Sequence, residues 1–415
     1  MSTPSSVRPS YAAVLRVPYA RRTFGAALVA RLSYGTVPLA MMLAVTRATG
    51  SYAAAGTLMA LFGVASVLLS PARAALIDRY GARRALVPMV CLYAALLTLL
   101  AAVTWRPGVP LVVLGAVIVA AGACTPPLGP TMRAVWSDLL KDQELLRRAY
   151  SLDGVAEEVL FVSGPLIVGA LIQAMPPAAG VALSAVLVAV GGAAFLASPA
   201  VARLRPAAGE GGEADGKRRT RGVRAIAQPM AVTAGVGLAL GGLDLLVMAF
   251  ADQQHHGDGV VAWVLAAVSA GSAVGGLLNG ALAGIPVRVR LSLSATALGL
   301  VLAIAGLAPG LGVFTVVAAC AGFFIAPALT TAYLVADEAA PPGFRTQAGA
   351  WVNTAVNGGM SAGAAAAGAL VAHLPLGLCF AVSGAVALAS VGLGLCLGPA
   401  GEVRARLPLP EGGRS

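Results

Sequence analysis

Twelve apolar stretches, each close to 20 residues long and parted by short polar breaks, constrain this chain more than any other feature. A bilayer core about 30 Å thick takes about 20 apolar residues per helix. The stretches run near 24–46, 52–74, 85–104, 109–133, 154–174 and 179–200, then 229–251, 260–283, 291–308, 311–335, 347–371 and 376–397. Hydrophobic residues make up 58% of the 415 positions and charged ones 11%. Soluble domains carry about 25% charged residues. These numbers predict an all-α, polytopic membrane protein.

The twelve stretches fall into two sets of six, so the expected organisation is a six-helix bundle over 23–200 and a second over 229–398. Residues 201–228 separate them. That segment holds Gly-Glu-Gly-Gly-Glu-Ala-Asp-Gly followed by Lys-Arg-Arg-Thr-Arg, a composition that cannot build a core and reads as a polar linker. Residues 1–22 and 399–415 read as polar tails, the first with a short interfacial helix near Tyr11–Tyr19.

The net charge of +11 could suggest nucleic acid, but its placement does not. With the N-terminus in the cytoplasm, cytoplasmic segments hold 25 of the 28 Lys and Arg, outer loops hold only Arg47 and Arg106, and Arg31 lies within the first span. The positive-inside rule then puts both termini in the cytoplasm, with the charge facing anionic lipid and no nucleic-acid partner. Only two of the basic residues are Lys, a usage that suits a GC-rich bacterial genome and so a bacterial inner membrane. Three His, and no H-x-x-x-H or C-x-x-C spacing, speak against a metal or redox enzyme and against a cofactor. The five Cys all lie in apolar runs and read as small buried hydrophobes.

The halves repeat each other. Pro127 and Pro327 stand 200 positions apart, as do Thr131 and Thr331. Gly164-Pro165-Leu166-Ile167-Val168-Gly169-Ala170-Leu171 in the fifth stretch corresponds to Gly363-Ala364-Ala365-Ala366-Ala367-Gly368-Ala369-Leu370 in the eleventh. Parallel repeats of this kind place a binding site between the halves, near mid-membrane.

The turn at Ala74-Ala75-Leu76-Ile77-Asp78-Arg79-Tyr80-Gly81-Ala82-Arg83-Arg84 gathers charges at one membrane face. It resembles the loop signature G-x-L-a-D-r-x-G-r-k-x-x-l of the major facilitator superfamily, with Asp78, Arg79, Gly81 and Arg83 in place and Ala74 for the first glycine. The resemblance implies twelve helices in two bundles related by a two-fold axis along the membrane normal. It also implies that this loop braces the cytoplasmic gate. In the second half Gly284 takes the acid's position, so a brace there would be weak. The run containing Gly164, Pro165 and Gly169 resembles the family's antiporter motif G-x-x-x-G-P-x-x-G-G, from which Leu160 and Val168 depart. That motif is associated with exporters, and its small residues allow close helix contact.

An ionisable group in the hydrocarbon core costs about 2.5–3.5 kcal/mol on insertion scales, so each asks for a reason. Asp244 shares a helix face with Gly237, Gly241 and Met248, as if lining a cavity, and an acid so placed could take a proton at neutral pH. Glu157 and Glu158 open the fifth span. Glu158 shares the face of the Gly-Pro run and is the better coupling candidate of the two, with Asn357 as its counterpart in the repeat. Arg31 sits about 12 Å into the first span at 1.5 Å per residue. It could snorkel to the surface, pair with Glu157 or Glu158, or meet an anionic substrate. Asn279, Trp351, Asn353 and Asn357 are candidates for the substrate path, with interhelical hydrogen bonding or packing as the competing role. His255 and His256 fall in an outer loop. Pro38, Pro126, Pro127, Pro130 and Pro327 mark expected kinks.

The function these residues favour is a monomeric, proton-coupled antiporter that exports small amphipathic molecules by alternating access. The rivals are an importer or symporter on the same fold, and a membrane protein that transports nothing. An embedded enzyme is disfavoured because no metal or nucleophile constellation is present.

Overall fold

The computed structural model describes residues 10–106, 108–204, 220–255, 258–281, 285–341 and 343–397. Among them there are helices and connecting turns and no strand. The first half contains α1 (Tyr11–Arg16), α2 (Ala20–Thr49), α3 (Tyr52–Tyr80), α4 (Ala82–Thr104), α5 (Leu111–Cys124), α6 (Leu128–Leu139), α7 (Gln143–Leu171), α8 (Ala178–Ala197) and α9 (Pro199–Ala202). The second contains α10 (Ala227–Gly241), α11 (Leu243–Gln253), α12 (Asp258–Ala281), α13 (Val287–Ala305), α14 (Leu311–Ala339), α15 (Arg345–Val371) and α16 (Leu376–Leu397).

α5 and α6 form one crossing, Leu111–Leu139, and α10 and α11 form another, Ala227–Gln253. Eleven crossings are thus long and apolar enough to span a membrane among the described residues. The twelfth helix, α15, has 27 residues, about 40 Å at 1.5 Å per residue. Its Gln347, Asn353, Asn357, Thr346 and Thr354 make it more polar than the others. The helices overrun the expected spans. α7 begins at Gln143 rather than near 154, and α14 continues to Ala339 rather than 335. The interfacial helix is shorter than expected, ending at Arg16, and Tyr19 adopts φ 69° where the chain turns into α2. Residues 220–225 are already helical, so the described part of the linker region is more ordered than its composition suggests.

The two halves pack by the same rules. α2 lies against α7 and α8, and α10 lies in the same way against α15 and α16. α3 packs on α5 as α12 packs on α14. Contacts between halves also come in matched pairs: α3 with α15 and α7 with α12, then α6 with α15 and α7 with α14. Small residues permit these approaches, because close van der Waals packing replaces the hydrophobic drive that lipid removes. Gly164 abuts the backbone of Gly35, and a Cβ there would overlap it. Gly237 and Gly241 seat against Val356 and Met360 of α15 in the same way. Gly169 has nothing within 4 Å of where its Cβ would stand, so the Gly-Pro run makes its close contact through Gly164.

Of the five cysteines only Cys379 is buried; Cys91, Cys320 and Cys396 are exposed and Cys124 is intermediate. In a bilayer an apolar run does not need a buried face, because its outer side meets acyl chains. The expectation of five buried thiols fails for that reason.

Candidate substrate and coupling site

Span four breaks at Pro126 and Pro127, and the break builds one wall of the site. In an unbroken helix the N–H groups of these residues would meet the carbonyls of Gly122 and Ala123. Proline has no N–H. Arg73 from α3 supplies the missing donors: its Nη1 reaches the Gly122 oxygen at 3.1 Å and the Ala123 oxygen at 2.8 Å, and its Nη2 reaches the Ser66 oxygen at 2.5 Å. The Tyr34 hydroxyl donates to the Pro126 carbonyl, which also accepts from the Leu128 N–H at 2.9 Å. A cavity of about 190 Å³ opens beside the break, lined by Tyr34, Phe62, Arg73, Tyr93, Phe161 and the residues below.

Arg31 does not snorkel. It is 2% exposed, and its Nη1 lies 2.6 Å from Asp153 Oδ1 while its Nη2 lies 3.0 Å from Glu157 Oε2. Arg133 pairs with the same two acids, at 3.2 Å to Asp153 and 2.8 Å to Glu157. Two guanidiniums and two carboxylates therefore form one closed cluster. Asp153 is fully buried in it, whereas Glu157 is 32% exposed and lines the cavity together with Arg31 and Arg133. On its other face the Arg133 guanidinium lies 3.7 Å from the Tyr333 ring centre in the second half. Asn353 and Asn357 complete the wall from α15. Asn353 accepts from the Tyr333 hydroxyl at 3.3 Å, and Asn357 donates to the Asn353 carbonyl at 2.8 Å.

Arg133 corresponds, 200 positions on, to Tyr333, and the eleventh span, which matches the helix carrying Asp153 and Glu157, offers the neutral Asn353 and Asn357. The charged set in one half faces its neutral counterpart in the other.

Glu157 rather than Glu158 stands in the cavity wall. Glu158 points to the second half and accepts from the Ser272 hydroxyl at 3.1 Å. Asp244 is exposed and does not line the cavity, and the glycines on its face pack on α15 instead of opening space. Asn279 is buried elsewhere and accepts from Arg290 at 3.3 Å. Trp351 packs beside the apolar core and is not in the cavity wall. His255 takes φ 58° at the end of α11, and His256 lies outside the described residues.

Sequence reasoning missed Asp153, Arg73 and Arg133. Asp153 falls one helical turn before Glu157, and the i, i+4 spacing carried that signal. Starting the fifth span at 154 hid it. Arg73 and Arg133 were counted among the basic residues of one membrane face because each lies at a span's edge, yet both are buried.

Toward the face that carries most of the arginines, hereafter the basic face, the halves are locked together. Asp78 does not pair with Arg79, Arg83 or Arg84. Its carboxylate accepts from the Thr346 N–H at 3.3 Å and the Gln347 N–H at 2.9 Å, capping the first turn of α15 across the interface. Helix N-termini present unpaired donors and a positive dipole end to such an acid. Gly81 makes the turn possible with φ 86°, while Arg79 and Arg83 are exposed. Further along, Ser137 donates to Asp337 at 2.7 Å and accepts from Arg345 at 2.8 Å. The Tyr11 hydroxyl of α1 donates to the Leu277 carbonyl. The degenerate second loop around Gly284 lies outside the described residues. One apolar cluster joins the two halves, on the basic side of the first and along most of the length of the second, whereas the core around Val37, Leu97 and Val188 belongs to the first half alone.

The sequence profile of the Major Facilitator Superfamily matches residues 23–283, more than half of the chain. The chain belongs to the major facilitator superfamily. Its members move small molecules across membranes, and this protein is a multi-pass membrane transporter. No curated protein matches the sequence. Among solved structures it is similar to a bacterial homologue of the iron transporter ferroportin in an outward-facing state, with 15% identity and a TM-score of 0.73 over 91% of this chain and 97% of that one. It is similar to the human organic anion transporter MFSD10 (TETRAN), with 15% identity and a TM-score of 0.69 over 93% and 100% of the two chains. For a variant of the E. coli fucose:proton symporter FucP the values are 14% and 0.64, over 93% and 99%. At these identities the likeness establishes the superfamily fold and leaves the cargo to the residues.

Proposed function

We propose that this transporter is a proton-coupled antiporter that exports small amphipathic molecules by alternating access, with Glu157 as the coupling acid. The observation that carries the reading is the shared cluster of Arg31, Arg133, Asp153 and Glu157, in which one carboxylate alone is open to the cavity. A proton on Glu157 cancels the charge that holds both guanidiniums, so proton occupancy and the arrangement around Arg133 and Tyr333 are linked. An acid with differential affinity for protons in two states shifts the balance between them. Glu158, whose bond to Ser272 crosses the halves, is the second coupling candidate, and Asp244, outside the cavity, the third.

The basic face is assigned to the cytoplasm of a bacterial cell by the positive-inside rule, with both termini there and the protein acting as a monomer. The locked basic face then corresponds to an outward-open state, and Asp78 to the brace of the cytoplasmic gate. Export rests on the Gly164-Pro165 resemblance to the antiporter motif. Symport is the rival, and the likeness to a named fucose:proton symporter gives it its support.

The test uses purified protein in liposomes loaded with a pH-sensitive dye, screened against amphipathic compounds. Antiport predicts that an entering substrate drives protons out, with the response abolished in Glu157→Gln. Protons entering with substrate would replace antiport by symport. An undiminished response in Glu157→Gln would remove Glu157 from the mechanism, and Glu158→Gln and Asp244→Asn would then be read in the same assay.

A further inference from the structure

The charge of the cavity does not balance. Arg31 and Arg133 are met by Asp153 and Glu157, two cations against two anions. Arg73 adds a third guanidinium to the same wall. It is 6% exposed, and its partners are three backbone carbonyls. Among the described residues no carboxylate lies within 4.0 Å of it, and its Nε has no hydrogen-bond partner. Closing the proline break needs two neutral donors and not a charge. The guanidinium satisfies the carbonyls while leaving one positive charge uncompensated in a poorly solvated site. An unpaired charge removed from water is costly, and a bound anion would offset that cost. Around the arginines the wall also offers apolar and aromatic surface, from Phe62, Phe161, Tyr34, Tyr93 and Val37.

We propose that the cavity between the two halves binds a small organic monoanion, its acidic group held in the field of Arg73, Arg31 and Arg133 and its apolar body against Phe62 and Phe161. The proposal rests on the transport reading for the cavity's role and names the chemical class of its ligand. The volume of about 190 Å³ accommodates a compact molecule such as a single-ring acid. Asn353 and Asn357 bring the second half to the same ligand, so binding would engage both halves at once.

The experiment is equilibrium binding to the purified full chain, read by thermal shift and calorimetry, with benzoate, benzenesulfonate and phenylphosphonate against the isosteres benzamide and benzylamine. The expected result is that at least one anion binds tenfold or more tightly than benzamide, with benzylamine weakest. Arg73→Gln should erase the preference. Glu157→Gln should strengthen it several-fold, because it removes the one carboxylate that faces the cavity. That opposite sign separates charge balance from structural damage and keeps the test valid if Arg73→Gln does not fold. Equal binding of anions and neutral isosteres, or anion binding weakened in Glu157→Gln, would overturn the proposal. Because the readout is binding without flux, anion selectivity without coupled proton movement would sink the antiport reading alone. Coupled movement of neutral or cationic compounds with no anion preference would sink this inference alone.

Discussion

The guanidinium of Arg133 lies 3.7 Å from the ring centre of Tyr333, and the two residues occupy the same position in the two halves of the repeat. The next matched pair along the same helices, Ser137 and Asp337, is joined by a hydrogen bond of 2.7 Å. The pseudo-two-fold axis therefore passes through contacts between repeat-related residues, and the charged cluster sits on one side of it.

Tyr333 can be tested by splitting its two contacts. Tyr333→Phe keeps the ring over Arg133 and loses the hydroxyl bond to Asn353, and should leave the closed basic face largely intact. Tyr333→Leu removes a cation–π contact worth about 0.5–2 kcal/mol. It should speed alkylation of a cysteine placed at Ser66, in a cysteine-free background, by reagent added from the basic face. Equal rates in the two variants would show that the ring does not help hold the halves.

Asp78 accepts three hydrogen bonds from Thr346 and Gln347 across the halves. Asp78→Ala orphans the two backbone donors, at about 1.5–3 kcal/mol for bonds involving a charged group. That is roughly a 10- to 150-fold shift away from the closed basic face. The same Ser66→Cys labelling should rise by up to that factor. Arg79→Ala and Arg83→Ala, at exposed positions, should change it little.

The two acids of the cluster should separate stability from coupling. Asp153 is fully buried between Arg31 and Arg133. Asp153→Ala leaves both guanidiniums short of a partner, and breaking a buried pair costs about 3–5 kcal/mol. A clear fall in Tm is expected. Glu157→Gln, at a partly exposed position, should unfold at nearly the wild-type temperature and fail in proton coupling. A reversed order of Tm losses would mean that Glu157 is the structural member.

Gly164 and Gly169 belong to one sequence motif but should respond differently. Gly164→Val drives a side chain into the backbone of Gly35, and overpacking costs about 1–3 kcal/mol. Gly169→Ala enters open space, and an unstrained Gly-to-Ala change can add about 0.4–1 kcal/mol. Tm measured in detergent on both variants decides the matter. Equal losses would mean that the motif acts as a unit.

The helices, their number, the repeat and the superfamily are legible in the residues alone, because a bilayer converts apolar run length directly into a crossing helix. The sequence pointed to Arg31, Glu157, Asn353 and Asn357, since polar groups within apolar runs are conspicuous. Through the loop signature it singled out Asp78, which caps α15 across the two halves. Which of these meet is set by how the helices pack. Asp153, Arg73 and Arg133 sit at span edges, where composition does not distinguish a charge in the headgroups from one folded back into the bundle. Adjacent Glu157 and Glu158 diverge because neighbouring helical positions point about 100° apart. The partner on each side is set by packing: Arg31 and Arg133 for one, Ser272 for the other. Asp244 reads as a cavity acid until the glycines beside it are seen seated on α15. Small residues on one face are equally suited to open space and to close contact. The choice between the two depends on a neighbour that is distant in sequence and is set by the fold.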